Sequence, residues 1–383
     1  MLGPVPRIMT LEPNMLTNDA RIAVFAGDGI GNEILPPTME ILRTLENKLG
    51  GFRLTFEEHA AGAAYYKETG RDISDESMKA AGDADAILLG AMGLPDIRDA
   101  DGTEIAPHLT MRENFHLVAG VRPVKAYPNV PQRLADERAA NIDFIVLRES
   151  TEGLFYSRDK GEVKDDKVAY EMLRISRDVT EELIDVAFDL ARQRKDKGGK
   201  GRVTCVDKSN VFRAFAFFQK IFYERAEDNK DIAVDTAYVD AMALDLIRKP
   251  WEYDILVMEN MFADILSDLG GGLVGGMGMA PCAEIGKQHA LFQPAHGSAP
   301  DIAGQDKANP MATILSGVLM LNWLGRRLDN PKMLEAADLL DEAVEKAFAA
   351  NELRPMEYGG DQGTKDASKA VLASLDKVLS VKS

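Results

Sequence analysis

The chain is poor in cysteine, histidine and tryptophan, and acidic residues outnumber basic ones. Its 383 residues include 2 Cys, 5 His and 2 Trp, and 62 Asp and Glu against 45 Lys and Arg give a net charge of −17. With only Cys205 and Cys282, a disulfide framework and a thiolate zinc site are excluded, and a reducing compartment fits. Both cysteines are expected in the core. The negative charge argues against a nucleic-acid or anionic-membrane partner.

Long apolar runs are also missing, so no membrane span is predicted. Residues 1–19 carry prolines and no basic region ahead of an apolar core, which is unlike a secretory signal. We expect residues 1–20 to form an N-terminal extension and the protein to be cytoplasmic. The content of 45% hydrophobic and 28% charged residues is typical of a soluble globular protein.

Short apolar runs alternate with helical periodicities along the chain. The predicted strands cover residues 21–26, 84–89, 144–147, 202–206 and 254–258. The predicted helices cover residues 34–49, 179–193, 209–227, 310–324 and 331–350. This alternation predicts an α/β protein with largely parallel strands. Several charged motifs follow predicted strands, where ligands collect in such sheets.

Two aspartates one helical turn apart form the most informative motif. Asp264 and Asp268 fall on one face of a predicted helix, with Asn260 as a plausible N-cap. The apolar stripe of that helix is predicted to consist of Met261, Ile265 and Leu266. Like charges at this spacing repel each other, and a bound Mg²⁺ or Mn²⁺ would offset the repulsion. A solvated acidic face is the alternative.

A glycine-rich turn follows the first predicted strand. Residues 27–31 read Gly-Asp-Gly-Ile-Gly, but Asn32 stands where a G-x-G-x-x-G motif needs its third glycine. A Rossmann fold is therefore not expected. The glycines either let the backbone approach another group closely or form a plain tight turn.

Four cations are candidates for contact with an anionic substrate. Arg112, Arg122 and Arg148 would bind carboxylates if they converge on one cleft, which their spacing cannot show. Lys208 follows a strand, and neighbouring cations and a metal would lower its pKa and make it a general base. Each residue alone is more often a surface cation.

A loop at residues 294–304 combines His296 with Asp301, an acid able to accept hydrogen bonds from ribose hydroxyls. A histidine in a loop is more often plain polar surface.

Together these residues resemble the metal-dependent, NAD(P)-linked β-decarboxylating dehydrogenases, the isocitrate and 3-isopropylmalate dehydrogenase family. The resemblance runs from about residue 21 to the C-terminus and rests on ordered motifs: G-D-G-I-G-x-E (27–33), V-R-P (121–123), R-E-x-T-E-G (148–153), D-K-x-N (207–210), Y-V-D (238–240), E-N-x-F-x-D-I-L-S-D (259–268), H-G-S-A-P-D-I-A-G (296–304) and A-N-P (308–310). It implies a two-lobed isopropylmalate-dehydrogenase-like α/β fold with mixed or parallel sheets flanked by helices. Residues 21–121 and 275–383 would form the cofactor lobe, and residues 122–274 the substrate, metal and dimerisation lobe.

The resemblance also implies a role for each matching residue. The three arginines and Asn210 would bind the substrate, and Lys208 would act as the base. Asp264 and Asp268 would bind Mg²⁺ or Mn²⁺ together with Asp240 of the other subunit of a homodimer. The NAD-binding residues would be Ile30, His296, Gly297, Ser298, Ala299, Pro300, Asp301 and Asn309. The carboxylate of Asp301 would repel the 2′-phosphate of NADP, so NAD is expected.

The implied reaction is oxidation of the C2 hydroxyl of a (2R)-malate-type acid, loss of CO₂ and protonation of the enolate with help from a tyrosine. The family tyrosine falls at Phe155 in this chain, and Tyr156 follows one residue later. Tyr156 is therefore the candidate, unless a different group delivers the proton.

The segment before the first arginine contacts the C3 substituent of the substrate in the family. Here it reads Pro107-His108-Leu109-Thr110, which matches neither the leucine pair of isopropylmalate enzymes nor the serine and asparagine of isocitrate enzymes. His108 either meets a polar substituent or faces solvent. Isopropylmalate is the default substrate, and tartrate, D-malate and isocitrate are alternatives.

Two hypotheses of other classes compete with the dehydrogenase. A non-catalytic regulatory subunit is supported by Phe155 alone, because the chain keeps the lysine and the metal aspartates. A metal-dependent hydrolase or lyase without NAD is disfavoured by the 296–301 loop.

Overall fold

The computed structural model describes residues 18–100, 102–158 and 160–382. Its strands are β1 (Asp19–Gly27), β2 (Arg53–His59), β3 (Ala86–Ala91), β4 (Ala119–Lys125), β5 (Asp143–Glu149), β6 (Glu162–Lys164), β7 (Val168–Tyr170), β8 (Arg202–Asp207), β9 (Ala233–Tyr238), β10 (Ile255–Met258), β11 (Pro281–Ile285) and β12 (Ala290–Pro294). Its α-helices are α1 (Gly31–Leu49), α2 (Ala63–Thr69), α3 (Asp75–Asp83), α4 (Pro107–Asn114), α5 (Arg177–Asp196), α6 (Arg213–Ala226), α7 (Val239–Arg248), α8 (Asn260–Leu273), α9 (Met311–Arg327), α10 (Pro331–Ala349) and α11 (Thr364–Lys382).

A mixed ten-stranded sheet forms the centre of the molecule, in the order β2-β1-β3-β12-β11-β4-β5-β10-β8-β9. The pairs β11–β12, β11–β4 and β4–β5 are antiparallel, and the remaining neighbours are parallel. The predicted α/β fold with a mixed sheet, distinct from a Rossmann fold, is therefore confirmed.

The strand order separates two parts of the chain. Strands from residues 19–91 and 281–294 fill one half of the sheet, and strands from residues 119–258 fill the other. The halves meet where β11 pairs with β4, through three residue pairs. The predicted lobe boundary at residues 121 and 122 falls inside β4, and the division into lobes stays a prediction.

Helices cover the sheet, so its central strands are buried on both faces. All four residues of β10 are fully buried, which explains why this strand reads as an unbroken apolar run. On the opposite half, α9 buries most of its length beneath α10 and α1. Within the described residues, no helix combines the length and apolarity needed to cross a bilayer.

The predicted strands and helices are confirmed, with corrections at their ends. The helix expected at residues 209–227 begins only at Arg213. The N-cap of α8 is Glu259, whose carboxylate accepts from the Phe262 N–H, and Asn260 is the first helical residue. The predicted extension lies outside the described residues except for its last three, and β1 already begins at Asp19.

The apolar stripe of α8 also differs from the prediction. Leu266 is buried, but Ile265 is 61% exposed, and Ala263 packs into the core instead. Cys205 and Cys282 are buried and free, as expected.

Candidate active site

A cleft of about 980 Å³ opens where β3, β5 and β12 end. Six of the predicted site residues line it, namely Arg112, Arg122, Arg148, Asp264, His296 and Gly297. The other predicted site residues are not among its lining residues: Ile30, Tyr156, Lys208, Asn210, Asp240, Asp268, Ser298, Ala299, Pro300, Asp301 and Asn309.

The three arginines come from three elements and converge. Arg112 is on α4, Arg122 on β4 and Arg148 on β5, and each is at most 6% exposed. Burial, followed by the charges of Arg122 and Arg112, lowers the pKa of Arg148 to about 10. Buried guanidinium groups pointing into one cleft make a site for a small anion that carries more than one carboxylate.

Asp264 connects two of these arginines. Its Oδ1 accepts a hydrogen bond from Arg122 Nη1 at 3.1 Å and another from Arg148 Nη1. The Oδ1 of Asn260 accepts from Arg148 Nε at 2.9 Å, which fixes the guanidinium plane. Helix α8 thus places an acid directly beside the arginines, and the convergence that sequence spacing could not show is observed.

Sequence reasoning missed Glu284, which is buried completely behind the arginines. Its Oε1 lies 2.7 Å from Arg112 Nη2, whose side chain is 5% exposed. Burial alone would raise the pKa of Glu284, but Arg112, Arg122 and Arg148 outweigh burial and hold it below its usual range. The sequence feature that could have identified Glu284 is an acidic residue inside the otherwise apolar strand Pro-Cys-Ala-Glu-Ile.

The two metal-ligand candidates on α8 differ in environment. Asp264 is 43% exposed and held by the arginines. Asp268 lies one turn further along the helix, and partial burial of its carboxyl is the main reason that its pKa is raised. Within the described residues, no group of three His, Cys, Asp or Glu side chains is placed to hold a metal ion. A metal on this aspartate pair would therefore need a further ligand besides the described His, Cys, Asp and Glu side chains.

Lys208 and Asp240 contact each other outside the cleft. Lys208 follows β8, and Asp240 lies in the first turn of α7 with 70% of its side chain exposed. The hydrogen bond from Lys208 Nζ to Asp240 Oδ1 is the main reason that the pKa of Asp240 is lowered. Asn210 is exposed nearby. None of these three residues lines the cleft with the arginines.

At the tyrosine position of the family, the ring facing the cleft belongs to Phe155. It lies 5.1 Å from the Cζ of Arg148. Tyr156 instead packs against Arg174 and Lys160, at 4.4 and 4.0 Å from its ring centroid. The structure therefore does not place Tyr156 among the residues that line the cleft.

The glycine turn and the 296–304 loop meet at the cleft edge. The Ile30 N–H donates to the Ser298 carbonyl at 2.8 Å. A Cβ on Gly29, which has a φ of +52°, would lie 2.1 Å from that carbonyl oxygen. Asp28 accepts from three backbone N–H groups, including that of Gly93, and so holds the turn in place. Of the two alternatives for the glycines, a close approach is observed, and the group approached is this loop.

The remaining loop residues are arranged around this contact. His296 is half-buried, burial lowers its pKa, and its Nε2 has no partner within the described residues. Asp301 is exposed, and Asn309 donates to Glu357 Oε2 at 2.8 Å. The unpartnered nitrogen of His296 is thus itself buried, although the residue lines the cleft.

The segment before Arg112 also lines the cleft. His108, Leu109 and Thr110 all contribute, and the buried Nδ1 of His108 has no hydrogen-bond partner within the described residues. Burial, followed by the charge of Arg112, lowers the pKa of His108 to about 3, so the imidazole is neutral. Of the two placements considered for His108, the cleft is observed.

Comparison with known proteins gives one consistent result. The sequence profile of the family described as isocitrate/isopropylmalate dehydrogenase matches residues 21–371. A 3-isopropylmalate/3-methylmalate dehydrogenase of Methanocaldococcus jannaschii is 40% identical over 92% of this chain and 97% of the relative. The homoisocitrate dehydrogenase of the same organism is 37% identical over 94% and 99%.

Solved structures agree with these sequence relatives. An isocitrate dehydrogenase from Methylococcus capsulatus superposes with a TM-score of 0.80 at 29% identity, covering 93% of this chain and 99% of that one. The TT0538 protein from Thermus thermophilus gives 0.81 at 31% identity, covering 93% and 68%.

Proposed function

Because the chain belongs to the isocitrate/isopropylmalate dehydrogenase family, we propose that it oxidises and decarboxylates a (2R)-malate-type 2-hydroxy acid with a β-carboxylate, using NAD and Mg²⁺ or Mn²⁺. The observation that carries the proposal is the meeting of Arg112, Arg122 and Arg148 beside Asp264 in one cleft. The protein is thus an oxidoreductase of the decarboxylating dehydrogenase type. The names of its relatives favour 3-isopropylmalate, with tartrate, D-malate and isocitrate as alternatives.

In this proposal the arginines hold the two carboxylates of the substrate and fix its orientation. Their burial strengthens each charge-assisted hydrogen bond, because little water competes for the guanidinium groups. The ring of Phe155 lies against Arg148, with its centroid 5.1 Å from the guanidinium carbon. Lys208 accepts the proton of the C2 hydroxyl, and Asn210 contacts the substrate.

A divalent cation fits the acids on α8. Asp264 and Asp268 stand one turn apart beside the cleft, and carboxylate oxygens are the ligands that Mg²⁺ and Mn²⁺ take. When bound, the cation would lower the pKa of the substrate hydroxyl and polarise the ketone that forms. Asp240 of a second copy would complete the ligand set.

A homodimer with shared sites accounts for the placement of Lys208 and Asp240. Asp240 is 70% exposed, and the exposed apolar side chains of the described residues include those of Phe212, Leu244 and Ile265. The β6–β7 ribbon, exposed at every residue, adds Val163 and Tyr170 to this list of uncovered apolar groups. A second copy would bury this surface and bring its lysine and aspartate to the arginines of the first.

NAD is assigned to the cleft edge formed by the glycine turn and the 296–304 loop. His296, Gly297 and Asn309 would contact the adenosine end, and Ile30 would support the loop from below. Ser298, Ala299 and Pro300 complete the proposed NAD site. Asp301 is exposed and carries the negative charge that favours ribose hydroxyls over a 2′-phosphate. The two free, buried cysteines fit a reducing compartment such as the cytoplasm.

The test is NADH formation at 340 nm by the intact protein with Mn²⁺, using 3-isopropylmalate, D-malate, tartrate and isocitrate, with NADP⁺ in parallel. We expect turnover of at least one acid with NAD⁺ and little with NADP⁺. Asp264→Asn should abolish turnover at limiting Mn²⁺, whereas Asp228→Asn on the exposed surface should not. Unchanged turnover of Asp264→Asn would exclude the metal assignment.

A non-catalytic regulatory subunit is the second candidate, because Phe155 stands where the family has its tyrosine. This candidate predicts binding of NAD, metal and acid in calorimetry without NADH formation from any of the four acids.

A further inference from the structure

We propose that Asn260 is a positioning residue for substrate binding, which holds the Arg148 guanidinium in the orientation in which it meets a carboxylate of the acid. The inference rests on the proposed function, which gives the arginines to the substrate and Asp264 to the metal. It goes beyond that proposal by assigning a task to a buried side chain that does not line the cleft.

The Asn260 side chain joins the guanidinium to the backbone of a neighbouring loop. Its Oδ1 accepts a hydrogen bond from Arg148 Nε at 2.9 Å, and its Nδ2 donates to the Glu152 carbonyl at 2.9 Å. Asn260 is fully buried and is the first residue of α8, so the helix fixes its backbone. Because each partner suits only one end of the amide, the orientation of the amide is determined.

Among the three cleft arginines, Arg148 is the one whose Nε has a hydrogen-bond partner within the described residues. The Nε atoms of Arg112 and Arg122 are buried and have none. After burial, the charges of Arg122 and Arg112 contribute most to lowering the pKa of Arg148, so two cations repel this guanidinium. Such repulsion favours displacement of the side chain, and the bond from Asn260 to Nε opposes it.

The second partner of Arg148 is less firmly held. Asp264 accepts from Arg148 Nη1 but also from Arg122 Nη1, and its side chain is 43% exposed. In the proposed function this carboxylate belongs to the metal, and a substrate carboxylate competes with it for the arginines. Asn260 is uncharged and buried, so it keeps its bond to Nε whichever ligand is bound. The acid then meets an arginine that is already oriented, which lowers the entropy lost on binding.

The first test is binding of malonate to the intact protein by calorimetry, since malonate carries two carboxylates but no C2 hydroxyl to be oxidised. Asn260→Ala removes a hydrogen bond to a charged group, so its Kd for malonate should rise about tenfold or more. In the Arg148→Lys background, adding Asn260→Ala should change Kd by less than about twofold, because lysine lacks the Nε–H that Asn260 holds.

The matched control is Asn229→Ala. Asn229 also joins an arginine to a backbone carbonyl, since it accepts from Arg192 Nη2 and donates to the Arg225 carbonyl at 2.7 Å. It does not line the cleft, so its loss should leave the malonate Kd unchanged. Calorimetry fits Kd separately from the number of sites, and a partly unfolded variant therefore shows fewer sites rather than a changed Kd.

Turnover separates positioning from charge. With an acid that the wild type oxidises, Mn²⁺ and NAD⁺, Asn260→Ala should lower kcat about tenfold or more, because the acid is held away from the reactive geometry. Asn260→Asp keeps an acceptor for Arg148 Nε in the same shape and should retain kcat within about threefold. Its negative charge competes with the acid and should raise KM instead. A side chain that served only stability would give no such division between kcat and KM.

The outcomes distinguish the inference from the proposed function. An unchanged malonate Kd in Asn260→Ala, an equal rise in the Arg148→Lys background, or an equal loss of kcat in both Asn260 variants overturns the inference and leaves the proposed function standing. Oxidation of none of the four acids by the wild type overturns the reaction class, and the malonate titrations still decide the role of Asn260. A wild type that does not bind malonate overturns the anion site, and the inference with it.

Discussion

Replacing Glu284 by glutamine should destabilise the protein and at the same time strengthen its response to anions. Glu284 is fully buried and its partner Arg112 is 5% exposed, so the change leaves a buried guanidinium without its counter-charge. Removing one member of a buried ion pair costs about 3–5 kcal/mol. Unfolding a chain of 383 residues has an entropy of about 0.8 kcal/mol/K, so Tm should fall by about 4–6 °C.

The assay is thermal unfolding with and without malonate, a dicarboxylate that cannot be oxidised at C2. Malonate should raise the Tm of Glu284→Gln more than that of the wild type, because the unpaired Arg112 attracts an anion more strongly. Asp254→Asn is the matched control, since Asp254 is also fully buried and paired with an arginine, Arg194, remote from the cleft. It should lower Tm without changing the malonate response.

The stability difference between the wild type and Glu284→Gln should depend on pH in one direction. Because the pKa of Glu284 is held below its usual range, its stabilising contribution is present above the unfolded pKa of about 4.3 and disappears as the pH falls through the folded-state value. The Tm difference between the wild type and Glu284→Gln should therefore shrink in acid. An unchanged Tm at pH 7, or equal malonate shifts in both proteins, would refute the argument.

Three further predictions concern the shared site, the loop contact and acid stability. The inactive variants Lys208→Met and Asp264→Asn, unfolded and refolded together in equal amounts, should recover about a quarter of the wild-type activity. About half of the dimers are then mixed, and each mixed dimer has one intact site of two. No recovery would contradict shared sites. Gly29→Ala places a Cβ 2.1 Å from a carbonyl oxygen at a φ of +52° and should weaken NAD binding in calorimetry at least tenfold, while Gly50→Ala, with nothing near its Cβ, should not. The pKa of His108 is about 3 in the folded protein and about 6.5 in the unfolded chain. The free energy of unfolding should therefore fall by up to about 1.4 kcal/mol per pH unit as the pH is lowered between these values. In denaturant titrations, His108→Leu should make this pH dependence less steep.

Local pattern was enough to predict the elements whose sequence carries one dominant signal. The apolar run of β10 and the aspartate spacing of α8 specify a buried strand and a helix without tertiary information. The β6–β7 ribbon was missed because its strands have three residues each, all exposed, which gives no periodicity. Strand β11 was missed because Glu284 interrupts a short apolar run.

The candidate site, too, could be predicted from the sequence only in part. The residue types of the arginines, Asp264 and the 296–304 loop were identifiable, but their convergence depends on elements far apart in sequence. The unpartnered nitrogen of His108 and the pairing of Glu284 with Arg112 are properties of the packed structure. The position of Lys208 outside the cleft lining follows from tertiary geometry that spacing does not encode.

The ion pairs of Asp264 with Arg122 and Arg148 link two ligands of opposite charge. A substrate carboxylate that takes the arginines releases the aspartate, and a cation that takes the aspartate releases the arginines. Each ligand thus removes the competitor of the other, so acid and metal should bind with positive cooperativity. By thermodynamic reciprocity, the factor by which the acid tightens metal binding must equal the factor by which the metal tightens binding of the acid.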